Sequence, residues 1–196
     1  MSNPESSDKI PARIFLIRHA RPIVSKHGYF DAAAARQFIT DYDAAQVEKF
    51  VLSHESIPYK EIKKVFCSTL VRSQLTAKAI FGNDIELIID HDFREFERKI
   101  FSLPLVRLPI RFWLLSSRAL WLMGLNSKGI ESFKEAKKRV RRCAERLSKE
   151  AEQDKTVVLV AHGFLNNFIR RELRKKKWRL VHNGGSGFVS ISMLEK

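Results

Sequence analysis

The segment Arg13-Ile14-Phe15-Leu16-Ile17-Arg18-His19 sets the architecture expected of this chain. Its run of apolar residues predicts a strand that is buried on both faces, as in parallel sheets covered by helices. A second run of β-forming residues, 156–161, has the same character and is followed by His162. Parallel sheets bind ligands at the carboxyl ends of their strands. We therefore expect His19 and His162 to lie at one edge of a single sheet.

Strands and helices alternate along the rest of the chain. The pattern predicts further strands over residues 65–67, 85–89 and 187–193, and helices over residues 31–52, 70–81, 130–151 and 164–173. This alternation predicts an α/β fold, a three-layer α/β/α sandwich with a mostly parallel central sheet. The length of 196 residues suits a single domain, with residues 1–12 as a polar lead.

Residues 98–125 interrupt the alternation. Their charged residues are all basic, they are rich in apolar side chains, and Pro104 and Pro109 divide them. The pattern predicts an inserted segment of short helices outside the sheet, acting as a lid or a specificity segment. Its aromatic residues, Phe101, Trp113 and Trp121, suggest a substrate with an apolar or aromatic part.

The composition is strongly basic, with 36 Lys and Arg against 22 Asp and Glu and a net charge of +14. This excess favours anionic partners such as phosphate esters, anionic lipid surfaces or nucleic acid, without choosing among them. Two cysteines form neither a disulfide framework nor a metal cluster, which is typical of a reducing compartment. The polar residues 1–10 do not resemble a signal peptide, and no apolar run reaches about 18 residues. We expect a cytoplasmic protein.

Four side chains are predicted to meet at the edge of the sheet. Arg18 and His19 end the first strand, Arg72 lies in the first turn of the helix after the 65–67 strand, and His162 ends the 157–161 strand. Guanidinium groups bind phosphate oxygens bidentately, and a neutral imidazole is a competent nucleophile toward phosphorus. Backbone N–H groups at the helix start near Gly163 add donors for an anion.

The same residues resemble motifs of the histidine phosphatase, or phosphoglycerate mutase-like, superfamily. Leu16-Ile17-Arg18-His19-Ala20 resembles its Arg-His-Gly signature, with alanine where the family usually has glycine. The segment 67–77 resembles the second block, which carries an arginine and ends in Gln-x-Thr-Ala. Val160-Ala161-His162-Gly163 resembles the third block, and Glu131-Ser132-Phe133 resembles the segment that precedes it. The blocks follow the family order over residues 13–193.

The resemblance implies a phosphoglycerate mutase-like fold and a phosphomonoester hydrolase, similar to the histidine acid phosphatases, that needs no metal or cofactor. His19 would be the residue that is transiently phosphorylated, with Arg18, Arg72 and His162 holding the phosphoryl group. Ser25 would replace a polar side chain that the family has a few residues past the nucleophile. The substrate would be a phosphorylated small molecule or a phosphoprotein.

The resemblance also implies a proton donor after the third strand, in a hydrophobic-x-Glu pattern. Phe93-Arg94-Glu95 fits this pattern best and makes Glu95 the first candidate, while Glu97 and Asp92 are rivals. An alkoxide leaving group needs a proton, and a carboxylic acid at the edge of the pocket can supply it. The segment after Glu95 departs from the family's usual Gly-x-Trp-Glu-Gly type, so the position of the acid is the least determined.

Three alternatives remain beside the hydrolase. A phosphoglycerate mutase-type transferase would pass the phosphoryl group to a substrate hydroxyl. A catalytically weak basic protein on the same scaffold would bind anions through residues 98–125 and the basic cluster 170–179. A nucleic-acid partner is not expected, whereas the charge allows peripheral contact with an anionic membrane. A metal site on His19 and His162 is disfavoured by the neighbouring arginines. The oligomeric state stays open.

Overall fold

The computed structural model describes residues 11–196 and contains one central sheet. The strands of residues 11–196 are β1 (Arg13–Arg18), β2 (Tyr29–Phe30), β3 (Lys64–Ser68), β4 (Glu86–Asp90), β5 (Leu108–Pro109), β6 (Thr156–Ala161), β7 (Arg179–Asn183) and β8 (Ile191–Glu195). Its helices are α1 (Ala32–Ala44), α2 (Val71–Phe81), α3 (Ile110–Leu122), α4 (Phe133–Asp154) and α5 (Gly163–Lys175), with a short 3-10 turn at His91–Phe93.

Six strands form the central sheet in the order β4-β3-β6-β1-β8-β7. The first four run parallel, β8 is antiparallel to β1, and β7 is antiparallel to β8. β2 and β5 pair separately as a two-stranded ribbon. The predicted α/β fold with a mostly parallel sheet is confirmed. The carboxyl ends of β4, β3, β6 and β1 consequently share one edge.

Alternate residues of the sheet enter two different cores, one on each face. Ile14 and Leu16 of β1 pack with buried residues of α4 and α5, among them Leu147 and Leu165. Phe15 and Ile17 belong to a second cluster that covers the opposite face and includes residues of β3, α2 and the segment before β3. The buried run at 14–17 therefore serves both faces, which explains why it is continuously apolar.

Several predicted boundaries are wrong. The helix predicted over 31–52 ends at Ala44, because residues 46–48 pair instead with the loop after β1: Ile23 N–H donates to Gln46 O and Glu48 N–H to Arg21 O, both at 2.8 Å. The last strand lies at 191–195 rather than 187–193, and the antiparallel β7 was not predicted. Of the polar lead expected at residues 1–12, positions 1–10 lie outside the described residues.

Residues 98–125 lie outside the central sheet, as expected, but they form one helix rather than several. Ile110 and Trp113 of α3 pack with Ala35 and Phe38 of α1 in a third cluster, which also includes Ile100. The ribbon of β2 with β5 joins this segment, immediately before α3, to the loop after β1. Within residues 11–196, no helix has the length and apolar character needed to cross a membrane.

Candidate active site

The carboxyl ends of β1 and β6 place two histidines side by side. The strands pair in parallel with Arg18 opposite Ala161, so the residues that follow each leave the sheet at the same level. The N–H of His19 donates to the carbonyl of Ala161 at 2.9 Å. The ring centroids of His19 and His162 lie 5.1 Å apart. The structure thus brings together the two histidines that the strand pattern singled out.

The surroundings of His19 fix its tautomer and keep it neutral. Nδ1 lies 2.7 Å from the carbonyl oxygen of Ala20, and since a carbonyl only accepts, Nδ1 carries the proton and Nε2 keeps its lone pair. Burial lowers the pKa of His19 from 6.5 to about 3, and Arg72 acts in the same direction. Burial first, and then Arg72, lowers the pKa of His162 well below its ordinary value. Both imidazoles are therefore neutral at neutral pH.

Arg18 reaches the same edge of the sheet and requires a glycine beside it. Its guanidinium donates to the carbonyl of Ser186 and lies over the ring of Phe188, 4.2 Å from the centroid. A Cβ at Gly163 would lie 3.0 Å from Cδ and Nε of Arg18. Glycine at the start of α5 therefore permits the close approach of this side chain.

Arg72 lies at the start of α2 and is 2% exposed. Its Nη1 donates to Oδ1 of Asp43 at 2.9 Å and to the carbonyl of Tyr42 at 3.2 Å. Asp43 also lies 3.9 Å from the guanidinium of Arg94. The carboxylate of Asp43 thus forms ion pairs with two arginines at the site. No sequence motif predicted this feature.

Several buried polar atoms of these residues have no hydrogen-bond partner among residues 11–196. They are Nε of Arg18, Nε of Arg72 and both ring nitrogens of His162. Buried polar atoms are normally hydrogen-bonded, and such exceptions are common where a ligand binds. Two guanidinium groups and the neutral imidazole of His19, against which His162 packs, form a site suited to a tetrahedral anion.

A cavity of about 430 Å³ opens at this edge of the sheet. Of the predicted site residues, Arg18, His19, Arg72, Glu95 and Gly163 line it. His162 is fully buried against His19 and lies behind the wall rather than on it. Further lining residues are Lys26, Phe38, Ile39, Tyr42, Asp43, Leu70, Arg94, Phe96, Glu97, Arg98, Leu114, Phe164, Asn167 and Ser186.

The structure separates the three carboxylates considered as proton donors. Glu95 lies on the cavity wall, where Oε2 accepts from Phe164 N–H and Oε1 from Leu165 N–H, both at 3.1 Å. These bonds hold it against the start of α5. Glu97 also lines the cavity, but it is exposed and its Oε2 accepts from Glu131 N–H at 3.3 Å. Asp92 pairs with an arginine of α4 instead and is absent from the cavity wall.

Ser25 is not brought to the site. It is exposed, its Oγ accepts from the N–H of His27 at 3.4 Å, and it does not contribute to the cavity wall. The neighbouring Lys26 lines the cavity in its place. Lys26 has no acidic partner within the described part of the chain, and burial lowers its pKa, with Arg18 acting in the same direction. The side chain that adds charge near the nucleophile is thus a lysine one position later.

None of the three aromatic residues expected to line the pocket lies on the wall of this cavity; Phe101 is half-buried and packs against Trp113, with ring centroids 5.4 Å apart. Trp113 and Trp121 are buried, and their indole N–H groups donate to the carbonyls of Phe30 and Glu131 at 2.7 and 2.6 Å. A tryptophan whose N–H meets a backbone carbonyl is anchored as a core residue. The apolar wall of the cavity is supplied by other residues, Phe38, Ile39, Leu114 and Phe164.

The fold and this site are those of an α/β protein that presents arginine and histidine side chains at the carboxyl edge of a mostly parallel sheet. The model of the histidine phosphatase superfamily, branch 1, matches residues 14–195, and the chain belongs to this family. The resemblance noted in the sequence is thereby confirmed. No curated protein sequence matches the chain. Residues 11–196 contain no group of three or more His, Cys, Asp or Glu side chains that could hold a metal ion.

Solved structures share the fold at low sequence identity. A mycobacterial glucosyl-3-phosphoglycerate phosphatase, solved with VO3, is 18% identical with a TM-score of 0.56, over 93% of this chain and 92% of its own. A protein described as mycobacterial hydrolase 2 is 21% identical with a TM-score of 0.55, over 94% and 82%. The product of an open reading frame of Mycobacterium tuberculosis is 14% identical with a TM-score of 0.54, over 94% of both chains. These similarities establish the phosphoglycerate mutase-like fold.

Proposed function

We propose that this protein is a phosphomonoester hydrolase that works through a phosphohistidine at Nε2 of His19. The observation that carries the proposal is the hydrogen bond between His19 Nδ1 and the carbonyl of Ala20, because it leaves Nε2 unprotonated. A neutral imidazole nitrogen can attack phosphorus. The guanidinium groups of Arg18 and Arg72, which hold their charge at any relevant pH, would bind the phosphoryl oxygens.

The reaction would proceed in two displacements. In the first, Nε2 of His19 bonds to phosphorus and the bond from phosphorus to the ester oxygen breaks, while the carboxyl group of Glu95 gives its proton to the leaving oxygen. In the second, the Glu95 carboxylate takes a proton from water as the water oxygen attacks phosphorus. The bond from phosphorus to nitrogen then breaks and phosphate leaves. Arginine supplies the positive charge for both steps, so we expect chelators to have no effect.

The substrate would be a phosphorylated small molecule or a phosphorylated side chain of a protein. The cavity combines cationic side chains with an apolar wall that includes Phe38, Ile39 and Leu114, which supports a phosphate ester with an apolar part. Water would be the acceptor in the second displacement. Release of inorganic phosphate without a bisphosphate activator would support hydrolysis, whereas transfer only to a substrate hydroxyl would identify a mutase.

The nucleophile is tested by His19→Ala, with His27→Ala as a matched control because His27 is exposed. Hydrolysis of p-nitrophenyl phosphate and acid-labile phosphate labelling should fall by about a thousandfold or more in the first variant and stay unchanged in the second. Circular dichroism would verify that both variants fold. Near-native activity of His19→Ala would overturn the mechanism.

The proton donor is tested by Glu95→Gln against Glu97→Gln with two leaving groups. Loss of Glu95 should slow the hydrolysis of an alkyl phosphate much more than that of p-nitrophenyl phosphate, because nitrophenolate scarcely needs a proton. Equal losses on both substrates in Glu95→Gln, or the selective loss in Glu97→Gln, would assign the donor to another residue.

A further inference from the structure

Helix α3 is apolar on two opposite sides. Its inward side chains include Ile110, Trp113 and Trp121, each at most 2% exposed. Its outward side chains are exposed and we call them the outer face of α3: Phe112, Leu115, Ala119, Leu122 and Met123. Leu115 is 70% exposed, Met123 63% and Phe112 47%. An amphipathic helix normally turns polar residues toward water, so this helix departs from the usual pattern.

The outer face follows the helical repeat. Positions 112, 115, 119 and 122 recur every three or four residues and, with 123, span an arc of about 100° around the helix axis. An apolar stripe of that width is what a helix uses to contact an apolar surface. Exposed apolar side chains that are contiguous in this way mark an interaction site rather than ordinary surface variation.

The inward contacts prevent α3 from rolling to bury this face. The indole N–H groups of Trp113 and Trp121 donate to backbone carbonyls at 2.7 and 2.6 Å. Between them, Nη2 of the buried Arg118 donates to the carbonyl of Phe96 at 2.7 Å. These three hydrogen bonds on the inward side of the helix therefore keep its outer face turned away from the core. Among residues 11–196, no segment covers the outer face of α3.

The charge around α3 indicates what that partner is. Residues 98–130 contain no acidic residue, and their exposed basic residues are Arg107, Arg111 and Lys128. Arg111 is exposed and adjoins the outer face in the helical repeat. A second copy would bring the same positive charge, in a chain whose net charge is +14, so self-association through this face is opposed. An anionic lipid surface offers both the apolar and the negative complement.

The basic cluster at 170–179 is a less suitable contact. Lys175, Lys176 and Arg179 each form an ion pair with a glutamate of the same chain, at 2.6, 3.2 and 3.3 Å. Its positive charge is therefore partly neutralised. The cluster also lacks an exposed apolar stripe like that of α3.

We propose that the outer face of α3 docks the protein onto an anionic lipid surface. Phe112 and Leu115 enter the boundary between headgroups and acyl chains, and Arg111 lies among the lipid phosphates. With 13 residues, α3 is about 20 Å long and too short to cross a bilayer of about 30 Å, so it lies in the plane of the surface. This proposal is independent of the phosphatase activity, since none of these side chains lines the cavity.

The test is sedimentation of the full chain with vesicles of phosphatidylcholine containing about 30% phosphatidylserine, against phosphatidylcholine alone. The wild-type protein should sediment with the anionic vesicles at about 0.1 M salt and bind them weakly at about 0.5 M. The double variant Phe112→Ser with Leu115→Ser should bind about tenfold or more less tightly. Arg111→Gln should bind about fivefold less tightly. Val51→Ser is the matched control, because Val51 is 95% exposed elsewhere, and it should bind like the wild type.

Hydrolysis of soluble p-nitrophenyl phosphate by the same variants reports whether they fold, and it should be unchanged. The proposal is overturned if the wild type does not sediment at low salt or binds neutral and anionic vesicles equally. It is also overturned if the double variant binds like the wild type, which would leave charge alone as the cause. Concentration-dependent dimerisation that the double variant loses, seen by sedimentation velocity, would assign the face to a second copy instead.

Discussion

The buried neutral state of His19 predicts how the stability of the fold depends on pH. Its pKa is lowered from 6.5 to about 3 by burial and by Arg72. Because the folded value is the lower one, the stability that depends on neutral His19 is complete above pH 6.5 and is lost as the pH falls toward 3. Between pH 6.5 and about 3, His19 binds a proton in the unfolded chain but stays neutral in the folded chain.

The size of the effect follows from the same two values. At about pH 5 the ring is almost fully protonated in the unfolded chain and neutral in the folded one, whereas at about pH 7 it is mostly neutral in both. With about 1.4 kcal/mol for each unit of difference in pKa, His19 should lower the free energy of unfolding by about 2 kcal/mol between these conditions. His162 adds a loss in the same direction, because burial lowers its pKa as well.

Urea unfolding at about pH 7 and about pH 5 measures this loss in the wild type and in His19→Asn, which cannot titrate. The variant should lose about 2 kcal/mol less than the wild type on acidification, whatever its own stability. His91→Asn is the matched control, because it makes the same exchange at an exposed histidine outside the cavity. Phosphate must be left out of the buffers, since a ligand of the folded state would mask the effect. If His19→Asn and the wild type lose the same free energy, the ring is not held neutral by burial.

Three further substitutions test the site and the core. Gly163→Ala should lower kcat/KM for p-nitrophenyl phosphate by about tenfold or more, because its Cβ would lie 3.0 Å from the side chain of Arg18 and displace it. Unchanged kinetics would show that the side chain of Arg18 can move aside without loss of activity. Asp43→Asn should tighten competitive inhibition by inorganic phosphate by about tenfold, because it releases Arg72 from an ion pair of 2.9 Å; an unchanged inhibition constant would mean that Arg72 does not bind the anion. Leu147→Ala should lower the free energy of unfolding in urea by about 2–5 kcal/mol, since Leu147 of α4 is fully buried in the core that packs against the sheet; a loss below about 1 kcal/mol would contradict this packing.

The central part of the site was predictable because it depends on strand ends. A buried strand has few ways to join a parallel sheet, and its carboxyl end then lies at the ligand edge. The register of Arg18 with Ala161 follows from that constraint and delivers both histidines together. Arg72 follows for the same reason, since α2 starts directly after β3. These positions needed only the strand pattern and the order of the elements.

The walls of the cavity could not be predicted in the same way. Tyr42 and Asp43 reach Arg72 only because α1 ends at Ala44, where residues 46–48 pair with the loop after β1. That pairing is between segments more than 20 residues apart, and no local pattern records it. The cavity is lined by Lys26 and not by the predicted Ser25 for the same reason. The course of the loop decides which of two neighbouring side chains reaches the cavity wall.

Helix α3 shows most clearly where local patterns stop being informative. With apolar side chains on both sides, its periodicity does not say which side joins the core. The choice is made by Trp113, Trp121 and Arg118, whose polar groups donate to backbone carbonyls outside the helix, and buried polar groups that lack such partners are costly. Rotating the helix by half a turn about its axis would expose the backbone carbonyls that accept these hydrogen bonds, and it would bury Arg111 without a counter-charge. The outward direction of Phe112 and Leu115 therefore follows from hydrogen bonding on the opposite side, and an apolar face set in this way remains available for a partner.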